Sequence, residues 1–564
     1  MNLSIPFRPK VLDTLKGYRR EGLWADVLAG VTVGIVALPL AIALSIASGL
    51  RPESGVYTAV IGGLLISLLG GSRVQIGGPA GAFVPLLLPI FLTHGAAGLA
   101  GCALIAGLIL FILGATRMGG LIKYIPFPVV TGFTSGIALL ILSTQIGDFL
   151  GLERALPGDF LQKIRALAGG FHPNWPTVLL GSIAAVLIWF WPAKLGRRVP
   201  GTIVVLVLAA LVSKFAVLPA RCGIATLGTV FGGLPQNLPV PHWPALTFDQ
   251  WRALLPAAMT VAVLGAIESL LCAVVADGMI DDRHDSNQEL MAQGIANLAS
   301  GFFGGMPVTG VLARTATNVR HGGRTPVAGM IHALTLLVLL LVAAPLLKHV
   351  PLAALSAVLV VVAVRMGEWH QFTRMRRWPK SDAAVFLCAF VLTVVTELPT
   401  AVGASLVLAS AFLVKRLSDI AEVQVEGDVS QANAAGQQTK GRVIPEGVLV
   451  YRVSGALFFG AADKLETVLR RAGELPEVLI LRVRDVLVID ATGLEALEDL
   501  MEKLRRQKKD LILCGPHSQP MFALTRAGLV ERLGLDNVCA DLDHSLERAR
   551  LLGELKKTDP VSPE

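Results

Sequence analysis

The sequence predicts a polytopic α-helical membrane protein whose 14 spans form two inverted repeats of seven, followed by a small soluble α/β domain. Composition is the first reason, because 53% of the 564 residues are hydrophobic and 16% are charged. A chain with so little charge cannot close as one water-soluble globule, so most of it must face lipid. The 58 glycines agree, because glycine lets membrane helices approach closely and tolerates breaks in them.

The apolar segments give the number of spans. The first set comprises residues 27–48, 55–70, 79–93, 96–115, 126–147, 175–193 and 201–217. The second set comprises residues 254–275, 289–303, 307–319, 326–346, 350–366, 381–397 and 400–415. Seven crossings leave the chain on the opposite face, so the second set must return in inverted orientation. We expect these domains: membrane repeats at 25–217 and 254–419, joined by an extracytoplasmic loop at 218–253.

Loop charges set the orientation. Residues 1–24 are basic and lack the apolar region and cleavage site of a signal peptide. Alternate threading then places most other loop cations on the side of this N-terminal segment, which is the positive-inside pattern. We expect a multi-pass protein of a bacterial inner membrane with both termini in the cytoplasm. The net charge of +8 therefore reflects topology and not nucleic-acid binding.

Two glycine-proline breaks lie at equivalent places in the two sets. Gly77-Gly78-Pro79 precedes an expected helix at 80–92, and Gly304-Gly305-Met306-Pro307 precedes one at 308–319. Helices that begin inside the bilayer direct free N–H groups and a partial positive charge at a central site, which suits an anion. The alternative is that these glycines only permit tight packing.

A carboxyl group and a guanidinium lie inside the second set. Glu268 is flanked by apolar residues for more than a turn on each side, and burial favours its protonated form, so we expect it to couple transport to protons. The alternative is a protonated Glu that only bonds between helices. Arg314 stays charged and suits an oxyanion, so an anion or Glu268 must neutralise it. The alternative is an arginine that extends to the membrane surface.

Other residues complete the candidate substrate site. They offer space, donors, a helix kink or an apolar wall: Pro39, Leu44, Gly78, Ala80, Phe83, Ser269, Thr309, Gly310 and Val311. Pro39 frees a backbone carbonyl in the first span, although a packing kink with no ligand would look the same.

Several classes of protein are excluded or disfavoured. The six cysteines contain no CxxC pair, so we expect no disulfide framework, no metal site and no cofactor. No nucleophile, base and acid recur at meaningful spacing, and no phosphate-binding loop with lysine is present, so we expect no enzyme. A channel would not need the titratable Glu268. A membrane anchor for the soluble domain would not need two breaks.

Four sets of residues form a recognisable pattern: Ala37-Leu38-Pro39, Gly55-Val56-Tyr57, Gly70-Gly71-Ser72-Arg73 with Gly78-Pro79, and Leu264 to Leu271. This pattern resembles one known family, the SulP (sulfate permease) anion transporters. Gly265 to Val275, Asp277-Gly278-Met279 and Ala313-Arg314 with Asn318-Val319-Arg320 are most similar to C4-dicarboxylate members.

The resemblance implies core and gate parts, often a homodimer, and proton-coupled uptake of succinate, fumarate or aspartate. Bicarbonate or sulfate transport, or an uncoupled channel, stay open as alternatives. Sodium-driven members have Thr where this chain has Cys272, and the missing hydroxyl disfavours sodium.

A soluble domain is expected at 444–553, after a linker at 420–443 and before a tail at 554–564. Expected strands are 449–453, 478–483 and 511–514, and expected helices are 461–472, 493–506 and 519–527. The domain resembles the STAS domain that bacterial members carry, and Thr492 matches the position phosphorylated in related proteins. We expect a cytoplasmic protein partner as one use of this domain. Capping of the following helix would explain the Asp490 to Gly493 loop without regulation.

Overall fold

The protein divides into two compact units, Met1–Val407 and Leu408–Glu564. A computed structural model describes residues 7–16, 18, 20–120, 126–152, 156–157, 159–192, 200–215, 222–396, 398–420, 422–425, 444–445, 447–457 and 476–558. The expected helix at 461–472 and most of the expected linker lie outside these residues.

The first unit is helical. Its first half contains α1 (Lys10–Thr14), α2 (Arg20–Ala47), α3 (Pro52–Leu69), β1 (Gly77–Gly78), α4 (Val84–Ala115), α5 (Phe127–Leu150), α6 (Phe160–Ala168), α7 (Trp175–Trp189) and α8 (Gly201–Phe215). Its second half contains α9 (Leu227–Phe231), α10 (Phe248–Ile280), α11 (Ser286–Phe302), β2 (Thr309–Gly310), α12 (Leu312–Arg320), α13 (Pro326–Leu347), α14 (Leu352–Met366), α15 (His370–Arg374) and α16 (Lys380–Val395). A last helix, α17 (Leu398–Ile420), crosses into the second unit.

Each of the 14 expected apolar segments overlaps one of these helices. Seven described helical stretches are long and apolar enough to cross a membrane: Arg20–Ala47, Pro52–Leu69, Gly81–Ala115, Phe127–Leu150, Phe248–Ile280, Pro326–Leu347 and Leu352–Arg377. Helices α7 and α8 are apolar but shorter. The chain is therefore a polytopic helical protein, while the number of 14 spans stays a prediction.

The helices pack in two groups, which we name here. The core helices are α2, α3, α4, α10, α11, α12 and α13, and the gate helices are α5, α7, α8, α14 and α16. Most of the packing is within a group, and α14 also packs against α2. Glycines allow the close approaches, since a Cβ at Gly107 of α4 would lie only 2.7 Å from the main-chain oxygen of Gly294 on α11.

Two predicted helix starts are wrong by a few residues. The first break is followed by a single 3₁₀ turn, Gly81–Phe83, before α4 begins at Val84, and the second half-helix begins at Leu312 instead of Val308. The reason is that Gly77–Gly78 of the first break and Thr309–Gly310 after the second break are extended and pair as strands β1 and β2. The expected segments 79–93 and 96–115 meet at Gly95, where φ is 64° and ψ is −165°, so α4 consists of two helical stretches joined at this non-helical residue.

The second unit contains a five-stranded sheet in the order β3 to β7. The strands are β3 (Glu422–Val425), β4 (Val448–Leu457), β5 (Val478–Ile489), β6 (Asp510–Cys514) and β7 (Val538–Cys539). β3 is antiparallel to β4 and the other neighbours are parallel. The described helices are α18 (Ala491–Arg506), α19 (Ser518–Arg526), α20 (Leu529–Leu533) and α21 (Leu542–Thr558). Two apolar clusters pack on the sheet, one with α18 and the other with α21, as in an α/β sandwich.

Candidate functional site

The two breaks lie side by side. Gly77 pairs with Gly310 and Gly78 with Thr309 in an antiparallel ladder, and the Val311 amide donates to the Ile76 carbonyl at 2.9 Å. Neither the turn at Gly81 nor α12 has a side-chain cap on its first amides. Two helix N-termini therefore adjoin one short ladder with free N–H donors, which gives the site a partial positive charge.

Two glycines of the ladder make room for long polar side chains. A Cβ on Gly78 would overlap Nη1 of Arg314, and a Cβ on Gly310 would overlap Nε2 of Gln75. These positions need glycine because another side chain approaches the backbone, not because of an unusual φ angle.

Arg314 lies in the first turn of α12 and only 2% of it is exposed. Its Nε, Nη1 and Nη2 atoms have no hydrogen-bond partner among the described residues. Because the side chain is buried, the alternative of an arginine extending to the membrane surface does not hold in this structure. A buried guanidinium without a partner is costly, so this position calls for an anion.

Glu268 lies on α10, and the structure leaves it apart from Arg314. The residue is partly exposed, but its Oε2 atom is buried and has no hydrogen-bond partner. No ion pair joins it to Arg314 within the described part of the chain. The expectation that Glu268 could neutralise Arg314 is therefore not met here.

The neighbours of Glu268 on α10 bind the ladder and α12. The Gly265 carbonyl accepts from Thr309 Oγ1 at 2.9 Å, and Cys272 Sγ bonds to Thr315 Oγ1 at 3.3 Å. Gly265 and Cys272 are three residues before and four residues after Glu268, so they lie on the same side of the helix. This side of α10 therefore faces the ladder and α12.

The predicted apolar wall is buried around the first break. Leu44, Ala80 and Phe83 are all buried. If Gly81 carried a Cβ, that atom would lie 3.8 Å from Leu44 Cδ2. A Cβ on Gly265 would lie 3.3 Å from Phe83 Cζ. The turn after the first break is thus enclosed by α2 and α10.

Two further residues of the predicted substrate site, Pro39 and Val311, lie in or beside helices of the site. Pro39 is buried inside α2 without ending it. Val311 is the residue before α12, and its backbone amide extends the ladder.

Ser269 is not free to bind an anion. Its Oγ accepts from Gln75 Nε2 and Gln293 Nε2, both at 2.8 Å, and donates to Glu289 Oε1 at 3.3 Å. The Glu289 carboxylate also accepts from the amides of Gly71 and Ser72. This buried network, which we call the Glu289 network, fixes the chain before the first break to α10 and α11.

The sequence analysis missed the Glu289 network, although a signal was present. Glu289, Gln293 and Asn297 recur every four residues in an apolar segment, which places them on one side of a helix. Asn297 bonds to both the amide and the carbonyl of Val308, at 3.0 and 2.7 Å. The stripe therefore holds the second break as well as the first.

Thr492 does not cap α18. Asp490 does so, since its Oδ1 accepts from the Gly493 amide at 2.8 Å, while Thr492 is exposed. Among the described residues, no group of three or more His, Cys, Asp or Glu side chains could hold a metal ion.

Comparison with protein families decides the class of the chain. The model described as "Sulfate permease family" matches residues 23–389, and the STAS domain model matches residues 442–544. The chain belongs to the sulfate permease family. It is an anion transporter with a C-terminal STAS domain, and members of this family are transporters, not enzymes.

Curated relatives match over most of their length. "Putative sulfate transporter YvdB" of Bacillus subtilis is 38% identical over 92% of this chain and 96% of the relative. "Bicarbonate transporter BicA" of Picosynechococcus sp. is 30% identical over 93% of this chain and 94% of the relative. Neither is named for a C4-dicarboxylate, so the closer resemblance to dicarboxylate members has no support from them.

Solved structures show the same fold. The transmembrane domain of a cyanobacterial bicarbonate transporter BicA aligns with a TM-score of 0.61 and 30% identity, covering 70% of this chain and 98% of that one. The murine Slc26a9 anion transporter, in its inward-facing state, aligns with a TM-score of 0.86 and 19% identity, covering 96% of this chain and 94% of that one. This last likeness concerns the fold alone.

Proposed function

We propose that this sulfate permease family member transports a small inorganic oxyanion of the sulfate or bicarbonate class. The observation that carries the proposal is the buried, unpartnered guanidinium of Arg314 on the backbone of Gly78. An oxyanion there would accept charge-assisted hydrogen bonds from the guanidinium and from free amides at the two helix starts. Such an anion restores the neutrality that no described side chain provides.

A C4-dicarboxylate is the second candidate, and the separation of its two carboxylates disfavours it. Arg314 and Lys163 are the buried cations among the described residues, and Lys163 on α6 donates to Ser143 Oγ on the gate helix α5 at 3.2 Å. One guanidinium fork suits one compact oxyanion such as sulfate or bicarbonate, whereas succinate, fumarate and aspartate carry two separate carboxylates, and the second would lack a buried cation among the described residues. The relatives named for sulfate and bicarbonate point in the same direction.

The test of the substrate is uptake of labelled sulfate, bicarbonate and succinate into proteoliposomes. We expect sulfate or bicarbonate to enter, and Arg314→Gln to reduce uptake by at least about 100-fold, since losing a charged hydrogen-bonding group costs about 3 kcal/mol. Arg314→Lys keeps the charge without the planar fork and should retain part of the activity. Uptake of succinate alone would overturn the inorganic-anion proposal, and unchanged uptake by Arg314→Gln would remove Arg314 from the site.

We also propose that Glu268 couples transport to a proton. Its buried Oε2 atom has no partner, so the carboxyl group is free to gain or lose a proton as the anion arrives. A sodium site is less favoured because Cys272 supplies sulfur, already bonded to Thr315, where a hydroxyl oxygen would be needed. The alternative to a proton-coupled transporter is a channel of the same fold, through which the anion flows down its own gradient.

Opposed gradients separate these mechanisms. We expect an inward proton gradient, and not a sodium gradient, to drive accumulation, and Glu268→Gln to exchange anions without accumulating them. Accumulation by Glu268→Gln at the wild-type level would refute coupling at this residue. Flux that follows only the anion gradient in the wild type would favour the channel.

A further inference from the structure

A second titratable carboxyl group lies where core and gate helices meet. A small cavity there is lined by α2, α5 and α14, with these residues: Ala43, Ile46, Ala47, Gln145, Asp148, Leu352, Leu355, Ser356 and Leu359. It lies at the C-terminal ends of α2 and α5, which alternate threading from a cytoplasmic N-terminus places on the outer side. Asp148 is the ionisable residue of this lining.

Asp148 faces no compensating charge within the described part of the chain. It is half-buried and has neither a hydrogen bond nor an ion pair among the described residues. The lining from α2 is apolar, and α14 adds only the hydroxyl of Ser356, which donates to the Gln145 carbonyl at 3.1 Å. Gln145 donates to Thr144 Oγ1 at 3.0 Å.

Lys163, the cation on the adjacent helix α6, does not point toward Asp148. Lys163 donates to Ser143, five residues before Asp148 and thus about 140° away around α5. Its ammonium group therefore lies on the side of α5 away from the cavity.

The packed arrangement suits a neutral Asp148 and not an ionised one. Removing a carboxylate from water without a cation costs several kcal/mol, whereas the protonated acid costs much less. Separation of α2 from α5 and α14 would admit water and allow ionisation. The state of this carboxyl group and the packing at this end are thus linked.

We propose that Asp148 is an outer proton-binding residue, and that its protonation closes the contact between α2 and the gate helices at this end. The inference rests on the proposed transport function and adds a proton site distinct from Glu268. Acid outside the membrane holds this end closed, and alkali opens it. Asp148 is a positioning residue, because it acts on the helix contact and not on the anion.

The first test follows closure itself and does not depend on transport. Ala47→Cys, in a Cys222→Ala background, places a thiol in the cavity for labelling by an impermeant maleimide added outside. We expect the labelling rate, corrected for thiolate content with an exposed control thiol, to rise about tenfold per pH unit while one proton controls the equilibrium. In Asp148→Asn it should stay low at every pH.

The controls separate this proposal from the proposed function. Asp249→Asn removes an exposed carboxyl group near the start of α10 and should leave the pH profile unchanged. Asp148→Glu should restore a pH-dependent profile. A wild-type profile in Asp148→Asn overturns the proposal even if sulfate is transported, whereas failure of all anion uptake with the expected labelling overturns only the transport function.

Discussion

Arg314 shows how one side chain can define a site. An ionised group buried without a partner costs several kcal/mol, and its removal is often stabilising. The cost persists because the fold leaves a place for the guanidinium on Gly78, and no residue that the structure describes accepts a hydrogen bond from it. In a transporter this cost is recovered only when the anion binds.

Measurements of thermal stability should reveal both the cost of the buried guanidinium and its recovery on anion binding. We expect Arg314→Met to raise the thermal melting temperature of the anion-free protein, because an uncompensated charge is replaced by an apolar side chain of similar length. The same variant should lose the further rise that sulfate or bicarbonate gives the wild type. Melting in detergent with and without each anion measures both effects, and an anion-induced rise that survives in Arg314→Met would place the anion elsewhere.

Lys163 is a second buried cation, and unlike Arg314 it can lose its charge within an accessible pH range. Burial lowers the pKa of Lys163 to about 8, whereas an unfolded lysine has a pKa of about 10.4. Between these values the unfolded chain binds more protons, so this residue makes stability increase with pH in that range. We expect Lys163→Met to raise the melting temperature at pH 7 and to lose this advantage by about pH 10.4.

A matched control tests the explanation for Lys163. Lys348 is exposed on the same unit, so Lys348→Met should change the melting temperature little at either pH. If Lys163→Met gives the same gain at pH 7 and at pH 10.4, the effect comes from packing and not from charge.

The β1–β2 ladder is the decisive element, and the sequence indicated only part of it. Glycine-proline breaks in equivalent places predicted two half-helices that meet. The pairing itself was not predicted, because two strands of two residues each have no alternating pattern to detect. Arg314 and Glu268 could be found because charge is rare in apolar segments, whereas Gln75 could not, since its role depends on contact with Gly310 over 200 residues away.

The glycines of the ladder give a prediction at this scale. Gly78→Ala should displace the Arg314 guanidinium and reduce transport by at least about tenfold, since about 1.4 kcal/mol suffices for such a loss. Gly278→Ala is the control, because a Cβ there meets nothing within 4 Å and alanine favours the helix. Uptake rates normalised to folded protein measure the difference. Equal activity in the two variants would show that the site tolerates the displacement.

At the scale of the whole molecule, the two units have separate cores. The soluble unit packs its own apolar clusters on its own sheet, and the helical unit contains both breaks. The sequence predicted this separation, since it indicated a linker at 420–443 between the membrane repeats and the soluble domain. The strands at 422–425 and 538–539 were missed because they are short and lie at the two edges of the sheet.

Removal of the soluble unit tests whether transport needs it. We expect a chain ending at Asp419 to retain anion uptake, since every described residue of the candidate site precedes that point. The exposed Thr492 would then affect regulation of transport and not transport itself. We propose that a homodimer contact or a cytoplasmic protein partner would likewise regulate transport without being required for it. Uptake by the shortened chain in proteoliposomes, compared at equal amounts of folded protein, measures this. Complete loss of uptake would show that the STAS domain is part of the transport machinery.

The ladder also limits what can move during a transport cycle. The two helix starts are joined by backbone hydrogen bonds and flanked by the Glu289 network, so separating them would break many buried bonds together. The anion would travel with its binding groups as one rigid body, and access would change by sliding of core helices past gate helices. A leak pathway of continuous water would then require the outer contact between α2 and the gate helices to open while the site is still open to the cytoplasm.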